Sequence, residues 1–201
     1  MCHEPTSVGL PEAIGLGKGS VSLEDFEHAD LILSFGHNPG TNHPRMMATL
    51  RDAARRGCRI LVFNPLKERA LERFAAPQNP VEMVTLSSTR IASAYHQLRT
   101  GGDLAALKGL MKLIFERDEA DLAAGGEGVL DRAFITEHTV GIDALKEDLA
   151  NAGWADILSV SGLTMEALNS AVDVYLNARN VILCYGMGIT CLLYTSPSPR
   201  D

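Results

Sequence analysis

Short apolar runs alternate with amphipathic stretches along this chain, and the alternation predicts a strand–helix rhythm. Leu31-Ile32-Leu33-Ser34-Phe35 lies between Asp30 and Gly36; an apolar run bounded by turn residues reads as a buried parallel strand. From Arg45 to Arg56 the period lengthens, with Met46, Leu50, Ala53 and Ala54 on one helical face and Gly57 where a C-terminal cap belongs. Arg59–Phe63 is the second strand, ending at Asn64-Pro65. Val81–Thr85 reads as a weaker third strand and Thr89–Leu98 as a helix. Leu104–Glu116 is amphipathic, Ala120–Gly128 reads as a loop, and Asp131–His138 and Gly141–Ala150 as helices. Thr164 caps a helix over Met165–Arg179, and Val181–Tyr185 is the last strand, running into Gly186-Met187-Gly188.

Strands alternating with helices predict an α/β fold: an open, mostly parallel sheet with helices on both faces, Rossmann-like, with a helical insertion at about 103–160. Residues 1–190 are read as one partial domain. The remainder, 191–201, has no element to build and reads as a non-native, adapter-derived tail; a natural Pro/Ser-rich terminus is the alternative.

Composition narrows the function classes. A hydrophobic fraction of 46% and a charged fraction of 21% fit a folded globular chain. The net charge of −7 argues against nucleic acid as a partner, because neutralising phosphates needs a basic face. One phosphorylated small molecule is still compatible, since backbone N–H groups can hold it. The four cysteines, Cys2, Cys58, Cys184 and Cys191, contain no Cys-x-x-Cys pair. No iron–sulfur cluster or structural zinc is therefore expected in this segment, and a reducing, cytoplasmic setting is expected. No apolar run approaches the ~20 residues of a membrane span, and the first residues lack the apolar core of a secretion signal.

The chemistry-bearing positions cluster where strands end, the edge at which open parallel sheets bind ligands. The first exit is Gly36-His37-Asn38-Pro39-Gly40-Thr41-Asn42-His43-Pro44, leading directly into a helix. Its glycines permit close backbone approach, Asn38, Thr41 and Asn42 offer side-chain hydrogen bonds, and the helix N-terminus favours an anion. An ordinary turn with an N-cap needs fewer such residues. Asn64 and Lys67 follow the second strand, Ser87, Ser88 and Thr89 follow the expected third, and Gly186, Met187 and Gly188 follow the last. At the other end stand Cys2 and His3, a soft metal ligand beside a base that titrates near neutral pH. His37 and His43 read as hydrogen-bonding scaffold. His28, His96 and His138 are placed on helix surfaces, Cys58 and Cys184 in the core, and Trp154 as a packing anchor.

Taken together, the segments Met1–Leu10, Gly17–Phe26, Phe35–Arg45, Phe63–Lys67, Phe74–Pro80 and Tyr185–Thr190 resemble the alpha subunits of molybdopterin oxidoreductases close to formate dehydrogenase H. The resemblance implies a Rossmann-like molybdopterin-binding domain and a bis(molybdopterin guanine dinucleotide) molybdenum cofactor. Cys2 falls on the molybdenum-ligand position, where formate dehydrogenases carry selenocysteine or cysteine, and His3 on the neighbouring proton acceptor. Gly36, Asn38, Thr41, Asn42, Asn64, Lys67, Ser87, Ser88, Thr89, Gly186, Met187 and Gly188 fall on contacts to the guanine dinucleotide. Relatives often have Asp and Arg where Asn64 and Lys67 stand, and Gln where Cys191 stands. The implied activity is two-electron and proton transfer on formate or a similar small molecule, with an electron-transfer subunit as a possible partner. The [4Fe–4S] cluster of such enzymes belongs to a part absent from this segment, and the segment alone is expected to be inactive. A non-catalytic nucleotide-binding α/β module is the alternative.

Overall fold

The computed structural model describes residues 4–190. The chain runs α1 (Glu4–Ile14), α2 (Asp25–His28), β1 (Leu31–Phe35), α3 (Pro39–Asn42), α4 (Met46–Arg56) and β2 (Arg59–Asn64). Then come α5 (Arg69–Glu72), β3 (Arg73–Phe74), α6 (Pro80–Thr85), β4 (Thr89–Arg90) and β5 (Ala94–Gln97). Helices α7 (Asp103–Ala123), α8 (Arg132–His138), α9 (Ile142–Asn151), α10 (Trp154–Ser161) and α11 (Met165–Leu176) precede β6 (Val181–Tyr185) and the short α12 (Met187–Thr190).

Four strands form a sheet in the order β5-β2-β1-β6, and every pairing in it is parallel. The chain builds outward from β1 through β2 to β5, then returns to place β6 on the other side of β1. That reversal puts a topological switch point between β1 and β6, where such sheets open a crevice.

Side chains alternate across the sheet, so each strand feeds two cores. Ile32, Ile60, Val62 and Ile182 pack with Met47, Leu50 and Ala53 of α4 and Leu71 of α5. Leu31, Phe35, Leu61 and Phe63 pack on the opposite face with Leu110 and Leu113 of α7, Ile157 of α10 and Leu168 and Val172 of α11. Burying one such side chain stabilises by about 1.5–3 kcal/mol, which is why short strands hold without help from local propensity. Helices therefore cover both faces, as the alternating pattern predicts. Among the described residues no helix is long and apolar enough to cross a membrane.

Two expectations are corrected in the segment 80–98. Val81–Thr85 is helical, not a strand: Asn79 Oδ1 accepts from the backbone N–H of Val81 and Glu82 at 3.0 and 3.4 Å, and Pro80 occupies the first turn. That start signal outweighs the β propensity of Val81, Val84 and Thr85. Thr89–Leu98 is not a helix. It contains β4 and then β5, which pairs with β2 from Leu61↔Ala94 to Asn64↔Gln97. Tyr95 faces one core while Ala94 and Leu98 face the other, a period of two that also satisfies a loose helical spacing. His96 consequently lies in a strand, 9% exposed and stacked on Phe63 at 4.7 Å, instead of on a helix surface.

Besides apolar packing, a buried acid ties the 65–93 excursion to α4. Glu82 is buried and accepts from Ala76 N at 2.8 Å and from Arg55 Nη2 at 2.7 Å. These hydrogen bonds and the two arginines beside it hold its carboxyl below the usual range despite burial. Arg56 hydrogen-bonds the carbonyls of Phe26 and Ala29 at 3.0 and 2.9 Å. Both arginines are thus occupied by the fold.

Candidate functional site

One crevice of about 640 Å³ is lined by residues from the exits of all four parallel strands. Gly36 follows β1, Asn64 closes β2 and leads to Leu66, Arg99 and Thr100 follow β5, and Met187 and Gly188 follow β6. The strand register makes this convergence unavoidable. Phe35 pairs with Phe63 on one side and Tyr185 on the other, so the three exits leave the sheet at one level.

At the switch point the backbones meet with no room for side chains. Gly36 has φ +52°, and a Cβ there would strike Gly188, 2.6 Å from its nitrogen. A Cβ on Gly188 would lie 2.7 Å from Gly36 Cα and 2.6 Å from Asp103 Oδ1, and one on Gly186 would lie 2.8 Å from Gly36 O. Backbone hydrogen bonds lock the junction: Gly36 N–H donates to Phe63 O at 2.9 Å, Gly186 N–H to Phe35 O at 3.0 Å and Gly188 N–H to Gly36 O at 3.3 Å. The glycines are required by this mutual approach, and the open crevice above is its result.

Beneath the junction sits Asp103, the first residue of α7, fully buried, with neither carboxylate oxygen hydrogen-bonded. Desolvation raises its pKa, against a smaller opposing effect of its own backbone N–H, which lies close but makes no hydrogen bond of proper geometry. A buried carboxylate without a partner is costly, and this one borders the crevice through Gly36 and Gly188. Sequence reasoning missed it because the third strand was set too early. With β5 placed at Ala94–Gln97, Gly101-Gly102-Asp103 becomes a strand exit opening a helix, the same signal recognised at Gly36 and Gly186.

His37 serves as hydrogen-bonding scaffold, and its position gives that role content. Its Nε2 lies 3.2 Å from Nδ1 of His43, joining the two ends of the first exit loop, while its Nδ1 is buried without a partner. Desolvation, reinforced by His43, lowers the His37 pKa to about 4. Unfolding returns it to an ordinary 6.5, so between those values the unfolded chain binds the extra proton and stability falls as pH falls. The urea midpoint of the native chain should therefore drop from pH 6.5 toward 4 more steeply than that of His37→Gln. Parallel slopes would remove His37 as the cause.

The remaining expected site residues separate into two groups. Asn38 caps α3, its Oδ1 accepting from Thr41 N at 3.3 Å, and Thr41 and Asn42 are exposed on the same loop. Asn64 is buried and donates to Leu66 O at 2.9 Å, shaping the second exit. Gly36, Asn64, Met187 and Gly188 line the crevice and Gly186 packs behind them on Gly36, whereas Asn38, Thr41 and Asn42 lie on the segment after β1, beside α5, and are not among the lining residues. Lys67 instead lines a separate cleft on the flank of the sheet, in company with Ser88. Ser88 receives Arg73, Thr89 receives Arg55, and Ser87 accepts from Thr85. None of these three serines and threonines lines the carboxyl-edge crevice, because the strand they were expected to follow is β5, which comes after them. Cys2, His3 and the segment 191–201 lie outside the described residues. Among the described residues no group of three or more His, Cys, Asp or Glu is arranged to hold a metal.

The molybdopterin oxidoreductase family model matches residues 13–190. Protein YdeP of Escherichia coli (strain K12) is 56% identical over 190 residues, covering 94% of this chain and 25% of that protein. Formate dehydrogenase H of the same organism is 24% identical over 188 residues, covering 94% of this chain and 22% of the enzyme. Acetylene hydratase from Pelobacter acetylenicus shares the fold with a TM-score of 0.67 at 17% identity, over 94% of this chain and 22% of that one. The chain spans about a quarter of the length of the curated relatives it matches.

Proposed function

The chain belongs to the molybdopterin oxidoreductase family, and from that membership we propose that its carboxyl-edge crevice holds one guanine dinucleotide arm of a bis(molybdopterin guanine dinucleotide) cofactor. The family implies an oxidoreductase with a molybdenum–pterin cofactor. The finer assignment rests on one observation, a buried carboxylate without a partner at the meeting point of four strand exits. Guanine offers N1–H and a 2-amino group side by side, a pair of donors that one carboxylate accepts together; adenine offers no such pair. Asp103 supplies that acceptor. Gly188 roofs it, so the α12 turn must lift as the base enters.

Each residue at the junction has a physical task in this scheme. Gly36 and Gly188 keep side chains out of the space, Asn38 and Asn64 fix the loops, and Thr41 and Asn42 present hydrogen-bonding groups toward solvent-borne phosphate or ribose. Cys2 holds the metal, and His3 accepts the substrate proton in a formate dehydrogenase-like reaction on formate or a similar small molecule. Molybdenum, when bound, supplies the two-electron chemistry. A [4Fe–4S] cluster in another part of the full-length enzyme and an electron-transfer subunit are the one-electron partners this reading expects.

The test uses the full-length enzyme that carries this segment. Formate-dependent dye reduction is expected, with Cys2→Ala abolishing it. A Cys2→Ala enzyme that turns over formate at the native rate would remove the ligand assignment, and an unaltered enzyme inert to formate would remove the substrate.

A further inference from the structure

A second concavity, of about 830 Å³, opens on the flank of the sheet, where the 65–93 excursion meets Tyr95 of β5. Lys67, Arg69, Arg73 and Arg90 all line it. This gathers positive charge in a chain whose net charge is −7. Its volume lies in the range of small-ligand sites.

The two central arginines are arranged in a way the fold alone does not reward. Arg73 and Arg90 are register partners across the antiparallel β3–β4 ribbon, and like charges directly opposite one another destabilise such a pair. Among the described residues neither makes an ion pair with a carboxylate. Arg73 donates from Nε and Nη2 to Oγ and the carbonyl of Ser88 at 2.8 and 3.0 Å. Arg90 donates from Nε and Nη2 to the carbonyls of Ala92 and Ser93 at 2.9 and 3.3 Å. These neutral acceptors orient both guanidinium planes and leave both charges whole, with Nη1 of each free among the described residues.

Arg69 and Lys67 have no side-chain hydrogen bond or ion pair among the described residues. The wall also carries Glu72 and Glu82. Glu82 is held by Arg55 at 2.7 Å and Arg51 at 3.6 Å, so its charge is already matched. Glu72 makes no ion pair among the described residues, and its single charge does not balance four cations.

We propose that this flank cleft is a second anion site, which takes the phosphate or diphosphate group of a small ligand on the forks of Arg73 and Arg90, with Arg69 completing the charge. Phosphate presents several oxygens to planar guanidinium donors, the geometry that arginine matches best. An anion there also relieves the opposition of the two arginines across the ribbon. A free phosphate compound and a nucleotide share this chemistry, and the probes below separate them. The site is independent of the carboxyl-edge crevice and of any role for Asp103.

Pyrophosphate and GDP are titrated separately into the 201-residue chain by calorimetry at low salt, with amide and arginine Nε signals followed by NMR. Saturable binding is expected, with shifts centred on Arg69, Arg73 and Arg90, and weakening as salt rises. Equal affinities would show that phosphate alone is read, and tighter GDP would add a contact to the nucleoside; both support the site. Arg73→Gln and Arg90→Gln should each weaken binding about ten-fold, whatever the net change in melting temperature from losing two hydrogen bonds and one of two opposed charges. A purely structural arginine would leave binding unchanged in the folded variant. Arg69→Gln, which removes no hydrogen bond from the fold, should weaken binding with folding untouched, and Lys146→Gln on α9 should change nothing. Absence of saturable pyrophosphate binding at millimolar concentration, or full affinity in the Arg73→Gln/Arg90→Gln double variant, would overturn the proposal. Shifts at Arg73 and Arg90 without any at Gly36 or Gly188 would uphold this site while counting against the crevice.

Discussion

Asp103→Asn is expected to stabilise the chain while abolishing the guanine recognition proposed for it. The native carboxylate is fully buried and unpartnered, and removing such a charge in favour of a neutral isostere should raise stability by about 1–3 kcal/mol at neutral pH. The sign follows from the raised pKa. Between the ordinary carboxyl value of 3.8 and the higher folded value, the folded chain holds the extra proton, so native stability is lost as pH rises through that window. The variant lacks this loss, and its advantage should vanish below about pH 4. Urea denaturation of both proteins from pH 3.5 to 8 measures it. A variant less stable at neutral pH would mean that Asp103 has a stabilising partner in solution, leaving no unmet acceptor for a base.

The second large effect belongs to the switch point. Gly188→Ala would drive a methyl group to within 2.7 Å of Gly36 Cα and 2.6 Å of Asp103 Oδ1. Neither neighbour is the end of a flexible chain free to move aside: one is backbone, the other a packed carboxylate. Gly36→Ala adds a left-handed φ of +52° to a collision with the same backbone. Each should cost about 3 kcal/mol and spread the crevice, whereas Gly57→Ala, at φ +100° but with open space around it, should cost only about 1 kcal/mol. Thermal melts of the three variants rank these. Equal losses would show that conformation alone, and not the close approach of two strand exits, explains the glycines.

Strands were legible where apolar runs were uninterrupted. Leu31–Phe35 and Ile60–Phe63 are buried on both faces, and burial on both faces writes itself as a continuous run; Val181–Tyr185 lies at the sheet edge with only Ile182 buried, yet its residues are apolar without a break. The edge strand Ala94–Gln97 was not legible, because Tyr95 and His96 interrupt the run and the spacing of Ile91, Ala92, Tyr95 and Leu98 also suits a helix. That single slip displaced one exit. It makes Ser87, Ser88 and Thr89 look like that exit, although Ser88 and Thr89 hold Arg73 and Arg55 on the flank, and it hides Gly101-Gly102-Asp103. The turn glycines at Gly36 and Gly188 were recognisable from sequence, but their reason was not. Composition indicates that a backbone needs room, and only the register of β1 with β6 shows that it is needed for another strand's exit.

The most direct measurement of the crevice is nucleobase discrimination at Asp103. GMP and AMP, matched in phosphate, are titrated into the native chain and into Asp103→Asn while the amide signals of Gly36, Asn64 and Gly188 are followed by NMR. Guanine recognition at the switch point predicts that GMP moves these signals saturably and more tightly than AMP in the native chain, and that the difference disappears in the variant. Equal responses to GMP and AMP in the native chain, or a GMP preference that survives Asp103→Asn, would contradict it.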